Sequence, residues 1–318
     1  MAQRILMPGE LEKQSGETPP VRLPERTSLF ADRAARLRSL APGHSMEAYL
    51  LLIATLADAQ HAILTAPPAR FRVPPMDAAA LERSRTNGMP PLAVASWVRD
   101  PGWRAMLAAL LVHVEGKLAD GPAAIAARVA AADAAWIEAQ ATKIVNGHSV
   151  DLDRGAAIFI AAALQAYWSG MTLELGVDAF PGLEVKSVCP CCGSGPVSSI
   201  VRPGPQSGLR YLVCSLCAAE WHYVRITCAN CGGNSKIEYF SVDGAEQKAR
   251  SAGDAKAVRA EACDDCDTYL KIFNAERDPQ VEPVADDLAS LSLDLLMAEQ
   301  THFLRSAVTL ALFHGDDA

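Results

Sequence analysis

The chain has 318 residues, half of them hydrophobic, which is enough to bury a sizeable core and a second unit. Its 29 Lys and Arg residues against 37 Asp and Glu residues give a formal net charge of -8 at pH 7. This charge repels phosphate backbones and anionic lipid surfaces, which disfavours a general nucleic-acid-binding or membrane-surface role.

The N-terminal region has no apolar run long enough for a secretory signal, so we expect a cytoplasmic protein. Four prolines among charged residues favour an extended arm over residues 1–27. The most apolar stretch, Ala156 to Leu164, is broken by Gln165 and is shorter than the roughly 20 residues that a membrane span needs. We interpret it as a buried helix and expect no stable membrane insertion.

Residues 28–180 are rich in alanine and leucine and contain no cysteine. Apolar side chains recur there at helical spacing, which predicts an all-α domain of about six to eight helices. The predicted helices include Glu47 to Leu64, Ala80 to Arg85, Trp103 to Val114, Ala123 to Val145 and Ala156 to Leu173.

The residue composition changes near residue 181. From there, cysteine pairs alternate with short β-prone runs such as Leu209 to Val213, Trp221 to Ile226 and Ile237 to Val242. This alternation is typical of small metal-stapled ribbons and predicts a first rubredoxin-like or zinc-ribbon-like module over 181–225 and a second over 226–275. The fold class expected is therefore α plus small β.

Residues 276–318 are predicted to form a C-terminal helix and tail. An apolar stripe places the helix from Pro283 to Met297. Asp286 and Asp287 fall in its first turn, where we interpret them as acids favoured by the helix dipole.

Eight of the nine cysteines form four Cys-x-x-Cys pairs within 78 residues. The pairs are Cys189 with Cys192, Cys214 with Cys217, Cys228 with Cys231, and Cys263 with Cys266. Two intervening residues let both sulfurs of a tight turn face one ion, and two such turns complete a tetrahedron. In a reducing compartment the pattern predicts metal ligands, with disulfide-exchange dithiols as the main competing interpretation.

The spacing of the pairs favours sequential pairing. There are 21 residues between the first two pairs and 31 between the last two, but only 10 between the second and third. We therefore expect one site from the first two pairs and another from the last two, while an interleaved arrangement remains open. A four-thiolate cage fits zinc or a single iron equally well, so geometry leaves the metal open.

Cys191 is the odd cysteine, inside the first pair, and either stays unliganded or exchanges with a neighbouring ligand. A nucleophilic partnership with His222 is disfavoured, because no oxyanion or substrate motif accompanies it. The sequence contains no Walker loop and no Gly-x-Gly-x-x-Gly. Residues 189–273 carry nine basic and nine acidic side chains, which gives no electrostatic footprint for nucleic acid.

The chain contains, in order, Cys189-Pro190-Cys191-Cys192-Gly193, Cys214-Ser215-Leu216-Cys217, Glu220-Trp221-His222, Cys263-Asp264-Asp265-Cys266 and Val284-Ala285-Asp286-Asp287-Leu288. Together these motifs resemble the formate dehydrogenase accessory proteins of the FdhE family. Upstream, Arg33 to Leu40, Pro90-Pro91-Leu92 and Tyr167-Trp168 fit a helical N-terminal domain of the same family more loosely.

The resemblance implies a cytoplasmic maturation factor for respiratory, molybdenum- or tungsten-dependent formate dehydrogenases. Such a factor contacts the catalytic subunit before export and is not itself an enzyme. The family association also favours iron at two four-cysteine sites, with the eight paired cysteines as ligands and zinc as the alternative metal. Cys191 departs from the family pattern, and a homodimer is left open.

Two other functions compete with this interpretation. A rubredoxin-like electron-transfer protein would have two candidate centres, although the sequence contains no flavin or nicotinamide motif. A structural zinc-ribbon scaffold that binds nucleic acid is disfavoured by the neutral charge of the ribbon region. Such a scaffold would bind DNA or RNA with an affinity that falls steeply as the salt concentration rises.

Overall fold

The computed structural model describes residues 18–69, 77–180, 186–203, 208–242 and 257–313. An N-terminal helical region precedes a sheet that carries both cysteine clusters. The helices are α1 (Leu29–Leu40), α2 (Glu47–Thr65), α3 (Ala78–Thr86), α4 (Trp103–Val114), α5 (Asp120–Ala131), α6 (Ala134–Val145), α7 (Arg154–Leu175), α8 (Pro283–Ala289) and α9 (Leu291–Gln300). The strands are β1 (Val21–Arg22), β2 (Pro196–Arg202), β3 (Leu209–Cys214), β4 (Glu220–His222), β5 (Ile237–Phe240), β6 (Val258–Cys263), β7 (Thr268–Asn274) and β8 (Leu304–Arg305).

Helix α7 is the centre of the helical region. Every residue from Ala156 to Thr172 is buried, and α2, α4, α5 and α6 pack against this helix. Its many alanines let these neighbours approach closely. By length and composition α2 and α7 could each cross a membrane, but 50% of the apolar window of α2 and 89% of that of α7 are buried inside the protein.

The segment predicted as one helix from Ala123 to Val145 is two helices, α5 and α6. Ala132 has an extended backbone, and the Asp133 carboxylate accepts a hydrogen bond of 2.8 Å from the backbone N–H of Trp136. Aspartate at this position caps a new helix by satisfying one of its free N–H groups. The break therefore has a local cause that apolar periodicity does not reveal.

The predicted helix from Pro283 to Met297 is likewise divided, into α8 and α9. Ser290 ends α8 and donates its hydroxyl hydrogen to the carbonyl of Asp286, at 2.6 Å. Asp286 and Asp287 are not explained by the helix dipole alone, because both side chains are buried and form ion pairs. Asp286 pairs with Arg36 of α1, and Asp287 with Lys271 and Arg305.

The two predicted ribbons share one sheet, with the strand order β1-β4-β3-β2-β7-β6-β5 and with β8 beside β7. Strands β2 and β7 are parallel, with Ile200 opposite Phe273, and they join the two modules. The part of the predicted arm that the structure describes also enters the sheet, since Val21 pairs with Trp221 of β4. Residues 1–17 of that arm lie outside the described residues.

Helix α8 holds the helical region against the sheet through ion pairs with α1. The guanidinium of Arg33 donates to the Glu282 carboxylate at 3.0 and 3.1 Å, and these side chains are only 4% and 11% exposed. The other oxygen of Glu282 caps α8 by accepting from the N–H of Ala285 at 2.7 Å. The Glu282 carboxylate thus links the first turn of α8 to α1.

Replacing Arg33 with methionine is expected to lower the free energy of unfolding by about 3 kcal/mol, because it leaves the buried Glu282 carboxylate unpaired. Urea unfolding followed by circular dichroism measures this change. The control is Arg38→Met on the same helix, whose ion pair with Asp58 is half exposed and should contribute less than about 1 kcal/mol. Equal losses in the two variants would contradict this role of Glu282.

Candidate metal centres

Each cysteine pair lies in the same kind of turn. The first turn closes when the N–H of Gly193 donates to the carbonyl of Cys189 at 2.8 Å, and the third when Gly232 donates to Cys228 at 3.0 Å. The residue after every pair has a left-handed backbone, with φ of 72° at Gly193, 59° at Ala218, 77° at Gly232 and 53° at Asp267. This conformation suits glycine and strains other residues.

The four turns bring the eight paired sulfurs into two groups of four. The first cluster contains Cys189, Cys192, Cys214 and Cys217, and the second contains Cys228, Cys231, Cys263 and Cys266. Within each cluster the ligand atoms lie within 4.8 Å of one another. The first two pairs therefore meet each other, as do the last two, which is the sequential arrangement rather than the interleaved one.

The donor geometry fits a tetrahedral metal ion. In the first cluster the sulfurs of Cys189 and Cys217 are 3.6 Å apart, and in the second those of Cys231 and Cys263 are 3.8 Å apart. Four thiolates at about 2.3 Å from a zinc ion would lie about 3.8 Å from one another. Each cluster could hold one ion, and the four-sulfur set suits both zinc and iron.

Backbone N–H groups donate to the sulfurs and stabilise thiolate charge. Leu216 and Cys217 both donate to the sulfur of Cys214 at 3.4 Å. In the second cluster, Asn230 donates to Cys228 and Gly233 donates to Cys231, again at 3.4 Å. Thiolates are the form in which cysteine binds metal, so these turns are prepared for ligation.

Protonation of the sulfurs opposes metal binding in both clusters. Burial raises the pKa of the Cys189 and Cys192 thiols. In the second cluster burial raises the pKa of the Cys228 and Cys263 thiols. At Cys266 the effect of burial is outweighed by hydrogen bonds from Thr268, Asn230 and the neighbouring cysteines, which lower the pKa to about 7. Because a bound metal must displace the remaining protons, acid is expected to weaken metal binding.

The first cluster is embedded in the helical region. Gln165 of α7 donates to the carbonyl of Ser215 at 2.8 Å, and Ser169 donates to that of Cys217 at 3.2 Å. At the first turn, the backbone N–H groups of Leu92 and Val94 donate to the carbonyls of Cys191 and Cys192 at 2.9 and 2.8 Å. Helix and loop together satisfy the buried carbonyls of both turns.

In the sequence, Gln165 stands out only as an interruption of an apolar stretch. A usable signal was present, because Gln165 and Ser169 are polar residues four positions apart, on one face of an otherwise apolar helix. The sequence gives no comparable indication for Leu92 and Val94. Both residues act through backbone N–H groups, which any residue except proline provides.

The second cluster depends on contacts with the first module. The guanidinium of Arg210 in β3 donates to the carbonyl of Thr227 at 2.9 Å and pairs with the buried carboxylate of Glu261 at 2.6 Å. The hydroxyl of Tyr223 donates to the carbonyl of Cys228 at 2.7 Å. Strand β3 and the chain that follows β4 therefore fix the start of the third turn.

Cys191 and His222 lie outside both clusters. Cys191 is fully buried, and burial raises the pKa of its thiol, which disfavours the thiolate form that a nucleophile needs. Burial and the nearby Lys186 lower the pKa of His222, whose ring packs edge-on against Tyr211 at 5.7 Å between centroids. Both residues fit packing roles.

The helical region, the shared sheet and the two four-cysteine clusters define a helical protein with rubredoxin-like metal-binding modules. Family models match nearly all of it: "FdhE, N-terminal" over residues 18–181, "FdhE, central domain" over 188–225 and "FdhE, C-terminal domain" over 226–312. The chain belongs to the FdhE family.

Known relatives agree with this assignment. A "Protein FdhE homolog" of Pseudomonas aeruginosa is 41% identical over 307 residues, which cover 96% of this chain and 97% of the relative. "Protein FdhE" of Escherichia coli K12 is 36% identical and covers 99% of both chains. The crystal structure of the FdhE protein from Pseudomonas aeruginosa superposes with a TM-score of 0.83 at 39% identity, covering 93% of this chain and 100% of that one.

Replacing Cys189 with serine is expected to remove one metal ion and to lower the melting temperature of the whole protein, because the first cluster is part of the helical core. Cys263→Ser should remove the other ion and loosen mainly the second module. Metal analysis and thermal unfolding by circular dichroism measure both effects.

Cys191→Ala is the matched control for these variants, since it removes a buried sulfur that belongs to neither cluster. It should keep two metal ions. Unchanged metal content in Cys189→Ser, or loss of a metal in Cys191→Ala, would contradict the ligand assignment.

Proposed function

We propose that this protein is a cytoplasmic accessory factor for the assembly of active formate dehydrogenase. In this role it binds the immature catalytic subunit, carries two four-cysteine iron sites and performs no reaction of its own. The observation that carries the proposal is that two four-cysteine clusters are built into a chain that belongs to the FdhE family along nearly its whole length.

The arrangement of the chain supports a binding role. The second cluster lies at the surface, with Cys231 exposed and Cys266 half-buried, so a partner could contact this metal centre directly. The net charge of -8 disfavours nucleic acid as that partner.

Iron is the metal that we propose, because the family association favours it where geometry leaves zinc equally suitable. When bound, an iron ion with four thiolate ligands would supply a centre whose net charge differs by one elementary charge between its oxidised and reduced states. The residues of this chain would hold that charge with backbone N–H donors such as those of Asn230 and Gly233. Partner binding could in this way respond to redox state.

Protein purified without oxygen is expected to be reddish, from thiolate-to-iron charge transfer, and to contain two iron ions per chain. Absorption spectra together with metal analysis of the native protein test this. A native protein with about two zinc ions per chain and no iron would contradict the iron proposal and leave the partner proposal intact.

Affinity capture of the tagged protein from cells that produce formate dehydrogenase is expected to recover the catalytic subunit. Cells that lack the gene for that subunit provide the matched control, and metal analysis of the captured complex shows whether the metal stays with this chain. Failure to recover the subunit from producing cells, with the captured protein folded and metal-loaded, would overturn the assembly role.

The exposed position of Cys231 also suits the alternative function, rubredoxin-like electron transfer, because electrons pass most easily to a centre near the surface. Stable, reversible reduction at a defined potential, together with turnover by a reductase, would favour this alternative over the assembly role.

A further inference from the structure

The two clusters share the same donor set but have opposite surroundings. In the first cluster Cys189, Cys192 and Cys217 are 0% exposed and Cys214 is 2% exposed. In the second cluster Cys228 and Cys263 are buried, whereas Cys231 is exposed and Cys266 is partly exposed. Solvent therefore reaches two ligand positions of one cluster and none of the other.

Opening the first cluster would require the domain contacts to separate. Its two turns are held by Gln165 and Ser169 of α7 and by the backbone of Leu92 and Val94. All four hydrogen bonds cross between the helical region and the first module. Their loss would expose the apolar core around α7, so the first cluster should open only with extensive unfolding.

Opening the second cluster would require only a local movement. The residues beside Cys231 in the third turn, Asn230 and Gly232, are exposed, as are Asp264 and Asp265 in the fourth turn. The segment after α9 meets the fourth turn at Asp267, whose carbonyl accepts a hydrogen bond from the N–H of Leu304 at 2.8 Å, and leaves Asp264 and Asp265 exposed. The side chain of Cys231 can turn toward solvent without separating packed elements.

We propose that the second cluster is the exchange site of this protein, where metal enters and leaves through the Cys231 side, while the first cluster holds its metal as a permanent part of the core. The inference rests on the metal binding proposed above and adds a division of roles between the clusters. The ligand that enters at the second cluster is a soft donor, such as a small thiol or a chelator.

The exchange is a ligand substitution without electron transfer. An incoming thiol would pass its proton to the Cys231 sulfur and take its place, so that one metal–sulfur bond would break as another forms. Asp264, Asp265 and Asp267 lie on the exposed fourth turn and would repel an anionic competitor, so neutral donors should react fastest.

Zinc release tests the division of roles. The full-length protein is loaded with zinc and its content is measured. Release is then started with an excess of the neutral thiol 2-mercaptoethanol and followed over time, with the chromogenic chelator 4-(2-pyridylazo)resorcinol as the reporter of released zinc. We expect two zinc ions per chain and two phases of equal amplitude, the first faster by at least about 100-fold. In Cys231→Ser/Cys266→Ser, one zinc ion and only the slow phase should remain.

The outcomes separate this inference from the proposal on which it rests. A protein that binds no zinc would overturn both. Two zinc ions released in a single phase, or a double variant that retains the fast phase, would overturn the division of roles while leaving metal binding intact.

Alkylation provides a second test that needs no variant. Neutral iodoacetamide and mass spectrometry measure the modification rate of each cysteine in the zinc-loaded protein, and Cys191 serves as an internal control because it lies beside the first cluster but is not a ligand. Cys231 and Cys266 should react first, and Cys191 only at denaturant concentrations that unfold the helices. Modification of Cys191 or Cys189 at the rate of Cys231 would overturn the proposal.

Discussion

Buried backbone carbonyls at the first cysteine cluster are the constraint on which the rest of the structure depends. A Cys-x-x-Cys turn leaves carbonyl groups without partners of its own, and burying them unpaired is costly. Gln165 and Ser169 pair two of these groups from within the apolar helix α7, and the backbone of Leu92 and Val94 pairs two others. The same bonds that satisfy the turns join the helical region to the metal-binding modules.

Buried ion pairs extend this junction through the sheet and the C-terminal helices. Arg33 and Glu282 join α1 to α8, while Lys271 of β7 lies beside Asp287 and Asp294. Charges so deeply buried stabilise a structure only when each has its partner, which makes them sensitive to misplacement. They therefore specify how the helices meet the sheet more than they add net stability.

The two clusters differ in how far solvent reaches their ligands. The first cluster is buried against α7 and the loop that contains Leu92 and Val94, whereas the second meets solvent at Cys231. Arg210 and Tyr223 nevertheless tie the second cluster to the first module. A change at the exposed second cluster would thus act on a turn that is anchored to the shared sheet.

The sequence by itself determined most of the elements and the donor chemistry, although not the helix breaks before Ala134 and at Ser290, because helical periodicity, strand patterns and Cys-x-x-Cys spacing are local. It predicted the all-α region, α7 as a buried helix, and two clusters paired in sequence. Only the tertiary structure decided that the ribbons share one sheet, that Gln165 seals the first cluster, and that the second stays open. Those outcomes depend on contacts between residues about 50 to more than 200 positions apart, such as Gln165 with Ser215 and Arg33 with Glu282, which no local pattern encodes.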